Sequence, residues 1–395
     1  MLRNAAMDFA ASTDEQAFRA SVRTWLEGNL PSERYPAEPA DRVAYARRWA
    51  RTLHEGGWAG LAWPVEYGGR DLSPLEHLLF AEEYAAAGAP PLIDIGVGPA
   101  LTGPTLIHHG TEEQKARFLT PILNGEEIWC QGFSEPGAGS DLASLQTRGV
   151  VDGDDLVING QKVWTSYARF ADWCILIVRT NPHVKKHRGL TFVLLDMKTP
   201  GITIRPLVEM TGVAWFNEVF FEDVRVPKKY IVGEIDKGWD ITITTLSVER
   251  GASTPYPRLA KELDDIVALG RRIAHDTPKV ADPRVRQRLA QLSIEIHTLK
   301  LTVQRSVSEQ MRTGRPGPEG SILKLLWSEL EQRLMEAASE ISGAYALLDE
   351  HAPQAIDAGR WQYGLLWSRA ASIYAGTSEV QRNILSQRVL GLPRG

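Results

Sequence analysis

The feature that most constrains this chain is a double change of apolar period. Up to about residue 125, and again from about residue 238, apolar side chains recur every three or four positions; between Trp129 and Val232 they alternate or run in short β-branched blocks. A helix buries a stripe with a 3.6-residue repeat and a strand buries a face with a repeat of two, so the order must be helices, a sheet, then helices. At 395 residues the chain is also too long for one simple core. The expected class is α+β multidomain: an α-helical N-terminal domain over 1–126, a middle antiparallel β-barrel over 127–235 and a C-terminal four-helix bundle over 236–395.

Local signals sharpen this frame. In "STDEQAFRASVRTWLEGNL" a capping box of Thr13 with Gln16 opens a helix that places Phe18, Val22, Trp25 and Leu26 on one face. Val43, Tyr45, Trp49 and Leu53 form the next stripe, stopped by two glycines, and Thr111 with Gln114 opens a short helix ended by Pro121 or Gly125. Asp152-Gly153 and Asn159-Gly160 are turn signals on either side of Leu156-Val157-Ile158, the pattern of a hairpin meander. Further on, Asp282 and Pro283 predict the cap and first residue of a long helix with a seam of Val285, Leu289, Leu292, Ile296, Leu299 and Val303. Helices over about 321–341 and 354–386 complete four with the one after Trp239, while Pro255 and Pro257 should bend or end that first one.

Composition excludes several functions. A formal charge of -5, with Lys and Arg nowhere clustered beyond pairs such as Lys185-Lys186, argues against a nucleic-acid surface. No apolar run reaches the roughly 20 residues of a membrane span, and the first residues lack a basic, apolar, small-residue leader; the expected location is cytoplasmic. Two cysteines, Cys130 and Cys174, are too few for a disulfide scaffold and read as buried thiols. His183 and His187 have i,i+4 spacing but sit in the loop-like "NPHVKKHRG", so no metal is expected.

The chemistry concentrates in "WCQGFSEPGAGSDLASLQTRG", in "INGQKVWTSYARFADW" and in "IYAGTSEVQR" near the C-terminus. Gly137-Ala138-Gly139-Ser140 could let backbone N–H groups approach an anion, but lacks the ending of a Walker sequence and the third glycine of a dinucleotide fingerprint; alone, it is equally a tight turn. A strand tryptophan such as Trp164, taken by itself, is usually a core residue, and a serine two residues later such as Ser166 usually just an exposed one.

Taken together, "LAWPVEYGGRDLSP", "HGTEEQKARFLTPILNGE", "FSEPGAGSDLASLQTR", "VINGQKVWTSYARFADW", "FFEDVRVP" and "IYAGTSEVQRNI" resemble the acyl-CoA dehydrogenase family in content, order and spacing across nearly the whole chain. The resemblance implies FAD as cofactor and an acyl-CoA substrate. It places Gln131, Phe133 and Ser134 at the pyrimidine end of the flavin, Gly139 and Ser140 by the pyrophosphate, Trp164 against the ring, and Thr165 and Ser166 beside it, with Ser166 donating to the N5 edge; Gly376, Thr377 and Glu379 also fall at cofactor-binding positions. Ser140 and Arg250 are implied substrate contacts. The implied reaction is α,β-dehydrogenation of the thioester, with the hydride passing to flavin N5 and electrons onward to an electron-transfer flavoprotein.

One departure is decisive for the proton. Many family members carry a glutamate base where this chain has Ala375, whose methyl group cannot accept a proton; only its backbone N–H can still polarise the thioester carbonyl. A minority place the base on the first helix after the sheet, just before an arginine, and "TTLSVERGAS" offers Glu249 and Arg250 there. A second departure concerns assembly: "RRIAHDTPKVADPRVRQR" lacks the Phe-Gly element through which family homotetramers share flavin contacts, and the later glycine pair is reduced to Ser342-Gly343-Ala344. The expected assembly is a homotetramer or a heterotetramer with a homologous chain. Three readings follow: a self-sufficient dehydrogenase, one subunit of an α2β2 complex, or an oxidase or monooxygenase on the same scaffold. A small residue at Ala375 is also compatible with a branched or ring-bearing acyl group.

Overall fold

The computed structural model describes residues 11–36, 38–92, 95–252, 255–274, 277–314, 317–318 and 320–393, with backbone alone for 248–252. Five α-helices come first: α1 (Thr13–Asn29), α2 (Pro39–Glu55), α3 (Pro74–Ala86), α4 (Gly103–His109) and α5 (Glu112–Leu123). The anticipated stripes are buried: Val22 and Leu26 of α1 lie against Trp49 and Leu53 of α2, and Val43 and Tyr45 are also inside. The cap of α1 lies one residue earlier than expected, because Ser12 and Glu15, not Thr13 and Gln16, complete the reciprocal box. The Thr111–Gln114 box opens α5 as expected. Pro121 falls inside that helix, which ends at Leu123, before Gly125.

Eight strands follow: β1 (Trp129–Gly132), β2 (Arg148–Asp152), β3 (Asp155–Lys162), β4 (Trp173–Arg179), β5 (Leu190–Asp196), β6 (Ile202–Leu207), β7 (Phe216–Pro227) and β8 (Ile231–Val232). They form one sheet in the order β6-β7-β3-β2-β4-β5-β8, with β1 beside β4. The expected closed antiparallel barrel is corrected on both counts. β1 and β2 each run parallel to β4, and among the described residues β6 and β8 do not pair to close the sheet. β8 has only two residues before the chain leaves for the next helix, too short an edge for closure. Asp152-Gly153 does turn the β2–β3 hairpin. Asn159-Gly160 is not a turn: β3 runs through it with a bulge against β7. Gly160 has φ +149°, and a Cβ there would lie 2.7 Å from the Thr147 backbone, so only glycine fits where the strand bends.

Six α-helices complete the described chain: α6 (Gly238–Ala252), α7 (Tyr256–Arg272), α8 (Pro283–Thr313), α9 (Gly320–Ser342), α10 (Arg360–Ser368) and α11 (Ser378–Ile384). The four expected helices therefore become six. As anticipated, α6 ends before Pro255, and α7 starts anew with Pro257 in its first turn, where a missing N–H costs nothing. Asp282 caps α8, and its seam of Leu289, Leu292, Ile296, Leu299 and Val303 is buried. α7, α8 and α9 pack on one another and α10 on α9, whereas α6 lies mainly on β5 and on the Val97–Thr102 turn that leads into α4. The last expected helix is broken between α10 and α11, where Ala375 (φ +53°) and Gly376 (φ +86°) take left-handed conformations incompatible with a continuing helix. Among the described residues no helix is long and apolar enough to cross a membrane.

Candidate active site

Two segments are joined to each other at the sheet, and a third lies at the break before α11, packed on α9. β1 delivers Gln131, half-buried, and then Phe133, buried edge-on to Phe192 with ring centres 6.0 Å apart. Ser134 follows, its carbonyl accepting 2.9 Å from Val163 N–H, which joins this segment to the one bearing Trp164. Beyond it, Glu135 and Ala138 exchange backbone hydrogen bonds of 3.1 and 3.0 Å around Pro136-Gly137, a tight turn that overlaps the start of the small-residue stretch. Gly139 and Ser140 are exposed, with open space where a Cβ on Gly139 would sit.

This turn is held from beneath by a charged pair. Lys162, at the end of β3, is fully buried and donates to Phe133 O at 3.0 Å and to Glu135 Oε1 at 2.8 Å. Gln146 N and Thr147 N donate to the same carboxylate at 2.6 and 2.8 Å. Burial disfavours the ammonium and brings the Lys162 pKa down to about 8, with Glu135 opposing that shift. Burial acts on Glu135 too, but Lys162 and the N–H donors outweigh it and hold the carboxyl below its ordinary value.

Trp164 stands on the second segment with φ +60° and 59% of its surface exposed, an unusual cost for so large an apolar ring. Its backbone is clamped by Asn217 of β7: Thr165 and Asn217 exchange backbone bonds of 3.0 Å each way, and the buried Asn217 Nδ2 donates to Thr165 O at 3.0 Å. Thr165 is buried, its hydroxyl without a partner among the described residues; Ser166 is half-buried. Trp164 meets Phe216 edge-on at 5.9 Å, and Phe216 stacks on Trp367 of α10 at 6.1 Å and 4°. Trp215 Nε1 donates to Tyr363 Oη at 2.9 Å, a further tie between the sheet and α10.

The third segment is the break before α11. Lys324 of α9, buried, donates to Ala371 O at 2.8 Å, and Gln332 donates to Ser372 Oγ at 3.1 Å. Ala375, Gly376 and Thr377 are half-buried, Thr377 caps α11, and Glu379 is exposed in its first turn. Backbone N–H and the Thr377 hydroxyl hold the Glu379 carboxyl below its ordinary value. Glu249 and Arg250 lie on the last turns of α6, with side chains outside the described residues. Hydroxyl contacts fix α6 on α4: Thr105 Oγ1 to Thr245 Oγ1 at 2.8 Å and His109 Nε2 to Thr244 Oγ1 at 3.0 Å.

Family models agree with this layout. The N-terminal, middle and C-terminal domains of acyl-CoA dehydrogenases match residues 12–126, 130–224 and 236–390. The chain belongs to the acyl-CoA dehydrogenase family. It is 41% identical over 390 residues to acyl-CoA dehydrogenase IpdE1 of Mycobacterium tuberculosis, covering 96% of this chain and 98% of that one. Among solved structures it is similar to the Tcur3481-Tcur3483 steroid ACAD, at 30% identity and a TM-score of 0.87, covering 98% of this chain and 100% of that one. It is likewise similar to the ChsE4-ChsE5 complex from Mycobacterium tuberculosis, at 32% identity and a TM-score of 0.86, with the same coverage.

An acyl-CoA dehydrogenase fold is FAD-dependent, and the residues present fit that group. Trp164 is an exposed indole, Gly137 and Gly139 have open space where a Cβ would sit, and the Thr165 hydroxyl has no partner among the described residues, a set of surfaces and donors that such a group would use. Sequence reasoning missed Lys162, Glu135 and Asn217. Lys162 had a signal in its place within "NGQKVW", where the alternation of β3 turns a lysine toward the core; Asn217 had none.

Proposed function

We propose that this chain catalyses FAD-dependent α,β-dehydrogenation of an acyl-CoA thioester with Glu249 as the base. The observation that carries the reading is the pairing of an alanine at the terminal base position with Glu249-Arg250 on α6, a helix pinned to α4 and β5. FAD, when bound, supplies the hydride acceptor. Trp164 forms a wall beside it, Phe133 and Ser134 offer main-chain and hydroxyl groups, and Ser166 a hydroxyl at the ring edge. Gly139 and Ser140 lie toward the pyrophosphate, with Ser140 and Arg250 also toward the substrate. Ala375 N–H polarises the thioester carbonyl, which acidifies the neighbouring C–H. In this reading the Glu249 carboxylate accepts that proton, which requires it to come within hydrogen-bonding reach of the α-carbon, about 3 Å.

The test is Glu249→Gln. The variant keeps its flavin but is no longer bleached by acyl-CoA; near-normal turnover overturns the assignment. Two further elements belong to the proposal: an electron-transfer flavoprotein as acceptor, and a tetramer that includes a homologous chain. The two-component names of the similar complexes support the latter, as does the lack of a Phe-Gly element between α7 and α8. Tyr345 and Leu347, just past the reduced glycine pair, are 53% and 84% exposed. A chain that is colourless alone and yellow when co-expressed with its homologue supports the two-chain assembly. The steroid relative and the small Ala375 favour a ring-bearing acyl group, which a panel of straight, branched and polycyclic CoA thioesters tests by flavin bleaching.

A further inference from the structure

Beside the Glu135–Ala138 turn lies a cavity of about 300 Å³, walled by Pro136 and Gly137 of the turn and by Gln146, Gly160 and Gln161 of the sheet and its approach. Ala138 lines it too, so the cavity adjoins Gly139-Ser140 directly, and open space lies over both Gly137 and Gly139. Ligand pockets run from about 300 to 1,000 Å³, so this one has room for a nucleoside but not for a whole dinucleotide. Its chemistry narrows the ligand further. Glu135 is part of the wall, but both its oxygens are taken, Oε1 by Lys162 Nζ and Thr147 N and Oε2 by Gln146 N. Among the described residues no lysine or arginine lines the cavity, so a phosphate would meet a carboxylate and no cation. Two carboxamides remain. Gln161 Nε2 donates to Glu218 Oε1 at 3.0 Å, which leaves its oxygen as an acceptor. The Gln146 side chain is exposed, with no partner among the described residues. A carboxamide sets a donor beside an acceptor, the pattern that pairs with N6 and N7 of adenine. The backbone of Pro136-Gly137 and of Gly160 offers flat walls to a planar base.

We propose that this cavity is the adenosine subsite for FAD, with Gln146 and Gln161 reading the edge of the adenine. The inference rests on FAD as the cofactor and on the pyrophosphate lying at Gly139-Ser140, one residue from the cavity wall. It accounts for the lack of a Phe-Gly element between α7 and α8: the adenosine end is held by the sheet of its own chain, and the helices of a neighbour are not needed for it. Gln146→Leu and Gln161→Leu keep the volume of each side chain and remove its donor and acceptor.

The test uses the native protein stripped of flavin, with its homologous partner chain if flavin binding requires it. Titration with FAD and with FMN, which lacks the adenosine, is followed by flavin fluorescence. FAD binds the native protein at least about tenfold more tightly than FMN, and the Gln146→Leu/Gln161→Leu variant weakens FAD about five- to a hundredfold while leaving FMN unchanged. Unchanged FAD affinity in the variant overturns the subsite, and so does an equal loss for both flavins. If the native protein binds neither flavin, it is the FAD reading that fails, and the inference with it; if it binds both alike, the subsite alone fails. Should the variant not fold, photolabelling of the native protein with 8-azido-FAD decides. Label on peptides that contain 135–147 or 160–161 supports the subsite. Label on 270–291, on 342–347 or on the partner chain overturns it.

Discussion

Lys162 Nζ lies 2.8 Å from Glu135 Oε1 with the lysine wholly buried, so the turn that begins at Phe133 is fastened to the end of β3 by an ion pair. A buried pair is poor evidence of net stabilisation, but removing one partner strands the other charge. Lys162→Met is expected to cost about 3–5 kcal/mol of folding stability. It should also loosen flavin retention, because Phe133 O loses its donor in the same step. Urea unfolding and flavin released on gel filtration measure the two effects.

The same pair predicts a pH dependence. Folding brings the Lys162 pKa from 10.5 down to about 8, so between those values the unfolded chain binds more protons than the folded one, and stability rises with pH. Below about 8 this contribution is flat. Glu135, lowered by folding, contributes stability that is present above its ordinary value of 4.5 and lost as pH falls through the lower folded value. Urea midpoints of native protein and Lys162→Met, compared from pH 7 to 10.5, should show the alkaline rise in the native protein alone.

Asn217 is fully buried and its amide donates to Thr165 O. Asn217→Leu leaves that carbonyl with one donor fewer, at a cost of about 1–3 kcal/mol. The turn bearing Trp164 should loosen with it, which a shift in tryptophan emission and the urea midpoint together detect.

Trp164 behaves oppositely, because most of its ring faces outward. Trp164→Ala should leave the midpoint of the flavin-free chain within about 0.5 kcal/mol. Flavin affinity should fall about three- to tenfold, the worth of one aromatic contact. Titration of the apoprotein with FAD, followed by flavin fluorescence, separates the two outcomes.

The repeat lengths of the apolar residues determined the helix–sheet–helix order, the cap and seam of α8, the box that opens α5 and the prolines between α6 and α7. These are local: each needs only neighbours within a turn or a hairpin, and the sequence carries those neighbours side by side. Family motifs likewise located the segments at Phe133, Trp164 and Ala375. Tertiary structure alone decided that β1 and β2 run parallel to β4, that Asn159-Gly160 bends a strand instead of ending it, and that the last helix breaks at Ala375-Gly376. It also decided that Lys162 reaches back 27 residues to Glu135 and Asn217 back 52 to Thr165. Strand direction, bulges and buried polar partners depend on which distant backbone arrives alongside, and no local period encodes that arrival.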